Sequence, residues 1–156
     1  MYRKPVFNLL LRMSGNYDRA LDLTQDVFVN ALRGWRSVRD PSRIRAWLFR
    51  IARNVALRNI HEERRLPTES LEGRDPGLRS NGVNPEEQIL QQERERLVEE
   101  ALRSLPPDVR LTVLLRDKEG LDYREMAQVL GCREGTVASR LNRARLLLGK
   151  KIARMR

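Results

Sequence analysis

The chain has 156 residues, with 31 Lys/Arg against 21 Asp/Glu for a formal net charge of +10, one His and one Cys. A lone cysteine excludes an internal disulfide, and HEERR at His61 departs from the zinc-protease pattern at Arg65, where the second ligand should be His. No apolar run nears the roughly 20 residues that span a bilayer, no signal-peptide h-region opens the chain, and neither a glycine-rich phosphate loop nor a Ser/His/Asp arrangement occurs, so a cytoplasmic, non-enzymatic protein without cofactor, metal or membrane insertion is expected.

The charge is uneven. Residues 1–66 hold 14 Lys/Arg against 6 Asp/Glu, residues 67–96 hold 4 against 7, and residues 97–156 hold 13 against 8. Two basic blocks flank an acidic bridge, and such a field favours polyanions, nucleic acid above all. Aromatics are few, β-branched alternation is absent and apolar residues recur at helical spacing. The expected fold class is therefore all-α: two small helical domains joined by a flexible linker, the second containing a helix-turn-helix.

In chain order, a first helix is predicted over about Pro5 to Met13, stopping at Gly15-Asn16. A second spans roughly Asp18 to Trp35, with Ala20, Leu23, Val27, Phe28 and Ala31 on its apolar side and Asp22, Gln25, Asp26 and Arg33 on its polar side. WRSVRDPSR, Trp35 to Arg43, reads as a loop around Pro41, with Ser42 the expected N-cap of the next helix. That third helix runs to about Arg65 on a stripe of Ile44, Trp47, Leu48, Ile51 and Val55, and leaves Arg50, Arg53 and Asn54 off the stripe. Trp47 is assigned to core packing over base stacking because it belongs to that stripe.

From residue 66 to 85 the sequence is dense in Pro, Gly, Ser and Asn, the signature of a linker. Fully stretched, its roughly 20 residues reach about 65 Å, enough for two modules to dock on one DNA more than a turn apart. Domains are thus expected at 1–65 and 86–156. A helix from about Glu86 to Leu105 ends at Pro106-Pro107, and Asp108 is read as the cap of a short helix through about Asp117. Asp122 and Glu125 then stand in capping-box spacing before a helix that Gly131 ends.

Leu130 to Lys151 reads LGCREGTVASRLNRARLLLGKK, with six basic residues. Val137, Leu141, Ala144 and Leu148 form its narrow core face. A helix-turn-helix needs a small residue where its helices cross, a glycine in the turn and a branched apolar residue seating the second helix, and Ala127, Gly131 and Val137 meet those demands. A plain helical hairpin with a solvated basic face is the competing interpretation. Cys132 fits a small buried hydrophobe. On the open face Arg143 can fork onto guanine, Asn142 can pair with adenine and Ser139 can take base or phosphate; Arg140, Arg145, Lys150 and Lys151 suit phosphates.

Four blocks, DLTQDVFVNAL (Asp22 to Leu32), RAWLFRIARNVA (Arg45 to Ala56), LPPDVR (Leu105 to Arg110) and GLDYREMAQVLGCREGTVASRLNRAR (Gly120 to Arg145), together resemble a bacterial extracytoplasmic-function sigma factor of the sigma-70 family. The resemblance implies an initiation factor that binds core RNA polymerase, through the β′ clamp helices and the β subunit, and directs it to promoter DNA. It implies core contacts at Asp22, Gln25 and Asp26. It implies single-stranded minus-10 recognition by Arg36, Arg39, Arg43, Arg50, Arg53 and Asn54, and duplex minus-35 recognition by Ser139, Arg140, Asn142, Arg143, Arg145 and Lys150. An anti-sigma factor is the expected further partner, and the free chain is expected to be a monomer. Departures from the family are a short first helix, Ala138 in place of a long polar side chain, Arg133 where Ser commonly caps, and Val38 in place of an aromatic. The rival function is an autonomous helix-turn-helix regulator, disfavoured by the lack of a heptad seam for dimerisation.

Overall fold

The computed structural model describes residues 1–65 and 84–155. Among these residues there are seven α-helices and two 3-10 turns, and no strand: α1 (Arg3–Ser14), α2 (Tyr17–Gly34), turns at Trp35–Ser37 and Pro41–Arg43, α3 (Ile44–Arg65), α4 (Pro85–Ser104), α5 (Pro107–Asp117), α6 (Tyr123–Leu130) and α7 (Glu134–Met155). The all-α expectation holds. The expected linker lies outside the described residues except for Asn84, whose side chain caps α4 by accepting from the Glu86 N–H, and Pro85 in the first turn.

The helix ends follow local chemistry. Gly15 adopts φ 69 and donates its N–H to the Leu11 carbonyl at 2.8 Å, closing α1. Asn16 then opens α2, its Oδ1 accepting from the Arg19 N–H at 3.1 Å. Two expected caps are corrected. Asp40, not Ser42, organises the approach to α3, because its Oδ1 accepts both the Ser42 N–H at 3.0 Å and the Ser42 hydroxyl at 2.8 Å. Asp108 lies inside the first turn of α5, since Pro106 holds the cap position and Pro107 supplies the preset φ of the first helical residue.

α1, α2 and α3 pack together, and α7 packs on α4, α5 and α6. Between these two groups α3 is shared: it lies against α1 and α2 and also against α6 and α5, with a further contact from α1 to α5. One continuous apolar core results, running from Val6 and Leu9 through Phe49 and Ala52 to Leu111, Met126 and Val129. Because α3 has neighbours on two sides, Ala46, Leu48, Phe49, Ala52, Val55 and Ala56 are buried, a wider surface than the predicted stripe, while Ile44, Trp47 and Ile51 are half-buried. The two helical units therefore sit directly against each other, where the sequence suggested only a tether.

In the second unit Val137, Leu141 and Ala144 are buried as read, and Leu148 is half-buried. Met126, Val129 and Leu141 are wholly enclosed, each contributing roughly 1.5–3 kcal/mol. The buried hydroxyl of Thr24 donates to the Ala20 carbonyl at 2.6 Å and that of Thr112 to Asp108 at 2.9 Å, so neither is left without a partner.

Candidate nucleic-acid interface

α6 and α7 meet through a turn that the sequence places closely. The Asp122 carboxylate accepts the Glu125 N–H at 2.7 Å and the Glu125 carboxylate accepts the Asp122 N–H at 3.2 Å, completing the capping box. Gly131 takes φ 68 in the turn, and the Cys132 N–H donates to the Ala127 carbonyl at 3.1 Å. Cys132 itself is half-buried against the core. This geometry seats α7 with its other side in solvent.

On that side Ser139, Arg140, Asn142, Arg143, Arg145 and Lys150 are all exposed. They are not equally free. Ser139 donates its hydroxyl to the Thr136 carbonyl at 3.1 Å, which leaves it an acceptor. Arg145 donates to Asp117 Oδ1 at 2.8 Å, an exposed pair of the kind worth about 0.2–1 kcal/mol. Among the described residues Asn142 and Arg143 have no side-chain partner, and their neighbour Ala138 is half-buried. Leu146 is 68% exposed among these cations.

In the first unit the two 3-10 turns and the stretch between them present Arg36, Arg39 and Arg43 to solvent, and Arg50 and Asn54 follow on α3. Trp35 is 59% exposed, with the Arg36 guanidinium 5.7 Å from its ring centroid, an aromatic face beside a cation of the type that holds unstacked bases. Trp47 is half-buried, packed so near α2 that a Cβ at Gly34 would lie 3.6 Å from its ring. A cleft of about 420 Å³ is bounded by Val38, Asp40, Arg43, Trp47 and Arg50, and by Gln128 from α6. Hydrogen bonds from the Ser42 hydroxyl and N–H hold the Asp40 carboxyl below its ordinary pKa, so a fixed negative charge stands at the cleft. Arg53 points elsewhere: it is half-buried, donates to Asn54 Oδ1 at 3.1 Å, and lines a second groove of about 450 Å³ with Arg140 and Arg143. Its Nε is buried with no protein acceptor.

Asp22, Gln25 and Asp26 are exposed on α2 but do not share one concavity. Asp22 and Asp26 line a polar cleft with Arg58 and Glu62 of α3. Gln25 faces a larger apolar cleft between α1 and α2, formed by Phe7, Leu21, Phe28 and Leu32. Leu21 and Leu32 are exposed there, while Phe28, read as part of the apolar side of α2, is half-buried against the core. Nothing in the sequence marks Gln128 as a cleft residue. Among the described residues no group of metal-ligating side chains occurs, and no helix is long and apolar enough to cross a membrane.

The family pattern "Sigma-70 region 2" matches residues 1–66, and "Sigma-70, region 4" matches residues 95–148. The chain is 35% identical over 158 aligned positions to the ECF RNA polymerase sigma-E factor of Haemophilus influenzae, covering 97% of this chain and 83% of that protein. It is 33% identical to the RNA polymerase sigma-H factor of Pseudomonas aeruginosa, with coverage of 97% and 82%. Among solved structures it resembles the sigma factor RpoE in complex with the anti-sigma factor NepR from Bartonella quintana, with a TM-score of 0.75, 25% identity and coverage of 97% and 91%. It also resembles CnrH in complex with the cytosolic domain of CnrY, with a TM-score of 0.64, 27% identity and coverage of 94% and 80%.

Proposed function

The chain belongs to the extracytoplasmic-function branch of the sigma-70 family, and on that premise we propose that it is a dissociable RNA polymerase sigma factor that carries core enzyme to promoters and takes part in strand opening and transcription initiation. It has no catalytic step of its own; its work is positional, in the cytoplasm where polymerase and chromosome are. Residues 1–65 are the unit for core and minus-10 binding, and residues 86–156 the unit for minus-35 binding.

The division of labour follows from side-chain chemistry. Arg143 offers a planar fork to guanine O6/N7 and Asn142 an amide to adenine, while Arg140, Lys150 and, once freed from Asp117, Arg145 neutralise phosphates. Arg36, Arg39, Arg43 and Arg50 track a single strand past the exposed Trp35 face, and Asn54 and Arg53 extend that surface along α3. Asp22 and Asp26, with Gln25 and the adjoining apolar cleft, form the surface for core polymerase. An anti-sigma factor is the expected silencing partner, a reading supported by the similar solved structure of the sigma factor RpoE in complex with the anti-sigma factor NepR.

The observation that carries this function is the pair of sigma regions found in order along one chain, with 97% of it aligned to a sigma-E factor. The test is run-off transcription from genomic promoter fragments with purified chain and core RNA polymerase. Specific initiation that depends on the chain is expected. Tight binding of duplex DNA by a dimer of the chain, with core enzyme left inactive, identifies an autonomous regulator instead.

A further inference from the structure

Where α3, α5 and α7 meet, a groove of about 450 Å³ collects three guanidiniums, those of Arg53, Arg140 and Arg143. Among the described residues none of the three forms a salt bridge. Arg53 is the least satisfied of them: it donates to Asn54 Oδ1 at 3.1 Å, and its Nε is buried with no acceptor. The carboxylate of Asp108 lines the same groove and also stands outside every salt bridge of the described residues. Like charges gathered in a concave site with low-dielectric walls repel one another and focus a positive potential there. A buried N–H without an acceptor adds to the cost. Both are relieved when an anion enters and the Arg53 guanidinium turns to it.

The rest of the lining decides which anion. Val109 and Leu147 bring half-buried apolar side chains to the groove, and the Thr112 hydroxyl is already engaged with the Asp108 carbonyl at 2.9 Å. Apolar surface and cationic forks therefore dominate. The volume lies within the roughly 300–1,000 Å³ of small-molecule sites, more than a lone phosphate needs and too little for a folded partner. Guanidinium forks match phosphate oxygens bidentately, while aliphatic surface suits the flat face of a nucleobase.

We propose that this groove is a binding site for a small nucleoside polyphosphate, its phosphates on Arg53, Arg140 and Arg143 and its nucleoside against Val109 and Leu147. Asp108 weakens the attraction without abolishing it, since three cations face one carboxylate. The site does not depend on the function proposed above, but on that function it has a consequence. Arg140 and Arg143 also serve the minus-35 duplex, so nucleotide and duplex exclude each other.

Isothermal titration calorimetry of the full chain, in magnesium-free buffer at fixed ionic strength, tests the site with ADP, inorganic pyrophosphate and adenosine as probes. ADP is expected to bind with a single-site isotherm, pyrophosphate more weakly for want of the apolar contact, and adenosine not measurably. Arg53→Gln is expected to weaken ADP binding by about tenfold, the loss of one charge-assisted hydrogen bond. Arg94→Gln removes the same charge from the exposed side of α4 and is expected to leave ADP binding unchanged. Asp108→Asn is expected to tighten pyrophosphate binding by up to about fivefold, a gain that a folding defect cannot produce. Absence of ADP binding, equal affinity for ADP and pyrophosphate, or equal losses in Arg53→Gln and Arg94→Gln overturns the site. ADP is further expected to raise the apparent Kd of a minus-35 duplex measured by fluorescence anisotropy, and simultaneous binding of both overturns the placement of the phosphates on Arg140 and Arg143. A chain that binds ADP as expected but no promoter duplex refutes the minus-35 assignment and leaves the nucleotide site standing.

Discussion

The same substitution, glycine to alanine, is expected to act with opposite sign at two positions of the second unit. Gly131 sits at φ 68 in the turn before α7, whereas Gly149 lies within α7 at an ordinary φ, and a Cβ at either would meet nothing within 4 Å. Space therefore plays no part, and only the backbone decides. An alanine held in the left-handed region costs about 1–2 kcal/mol, of which roughly 0.4–1 kcal/mol is offset by the stiffer unfolded chain. Gly131→Ala should thus lose up to about 1.6 kcal/mol, with a midpoint of ~0.8 kcal/mol. Gly149→Ala should gain up to about 0.8–1 kcal/mol from helix propensity. At roughly 2–4 °C per kcal/mol for a chain of this size, thermal melts followed by circular dichroism should move down by about 2–3 °C at that midpoint, and by no more than about 6 °C, and up by about 2–4 °C. Gly131→Asn should fall closer to wild type, because asparagine tolerates positive φ. If Gly131→Ala is as benign as Gly149→Ala, the turn is not left-handed and the placement of α7 is wrong. If Gly131→Asn is worse than Gly131→Ala, bulk and not backbone governs the site.

Arg143→Ala should cost about 1–3 kcal/mol in recognition of the minus-35 element, read as reduced run-off transcription from promoters that depend on it; an equal loss of core binding in a pull-down contradicts a base-reading role. Asp26→Arg reverses an exposed charge on α2, so melting should move by no more than about 0.5 kcal/mol, while fluorescence anisotropy should register clearly weaker association with core polymerase; unchanged affinity removes Asp26 from that surface. Glu119 gives a pH signature. Burial raises its carboxyl above the ordinary 4.5, against the opposing pull of Arg12 and Arg45, so the folded chain holds this proton more tightly than the unfolded one. The stabilisation is complete below 4.5 and is lost as pH rises through the raised native value. Glu119→Gln should therefore raise the melting temperature relative to wild type at neutral pH, with the gap closing as pH falls toward 4.5, and a gap of constant size across that range contradicts the assignment.

Features set by a few neighbouring residues were legible in the sequence. The Asp122 and Glu125 spacing became a capping box, Gly131 took its left-handed turn, and Val137, Leu141 and Ala144 turned inward, because each depends on contacts within a turn or two of its own helix. The competition between Asp40 and Ser42 shows the limit of even that range. Both residue types cap helices, and only the folded loop reveals that the carboxylate takes both serine donors.

Contacts between distant segments were not legible. Periodicity identifies the buried face of α3 relative to its own axis, but not that a second set of helices closes on another face and buries Ala46 and Phe49 while leaving Trp47 partly open. Arg45 and Glu125 stand 80 positions apart, and in sequence each looks like a solvated charge. The same holds for Arg53, whose place beside Arg140 and Arg143 arises only when α3 and α7 share a groove. In a cationic chain, bringing three guanidiniums together is opposed by Coulomb repulsion, so the carboxylates that draw the units together must lie elsewhere along the seam. Glu99 and Glu125 occupy those places, opposite Arg12 and Arg45. Acidic residues of the second unit thereby have a role that net charge conceals: Glu99 and Glu125 pair with cations of the chain's own basic first unit.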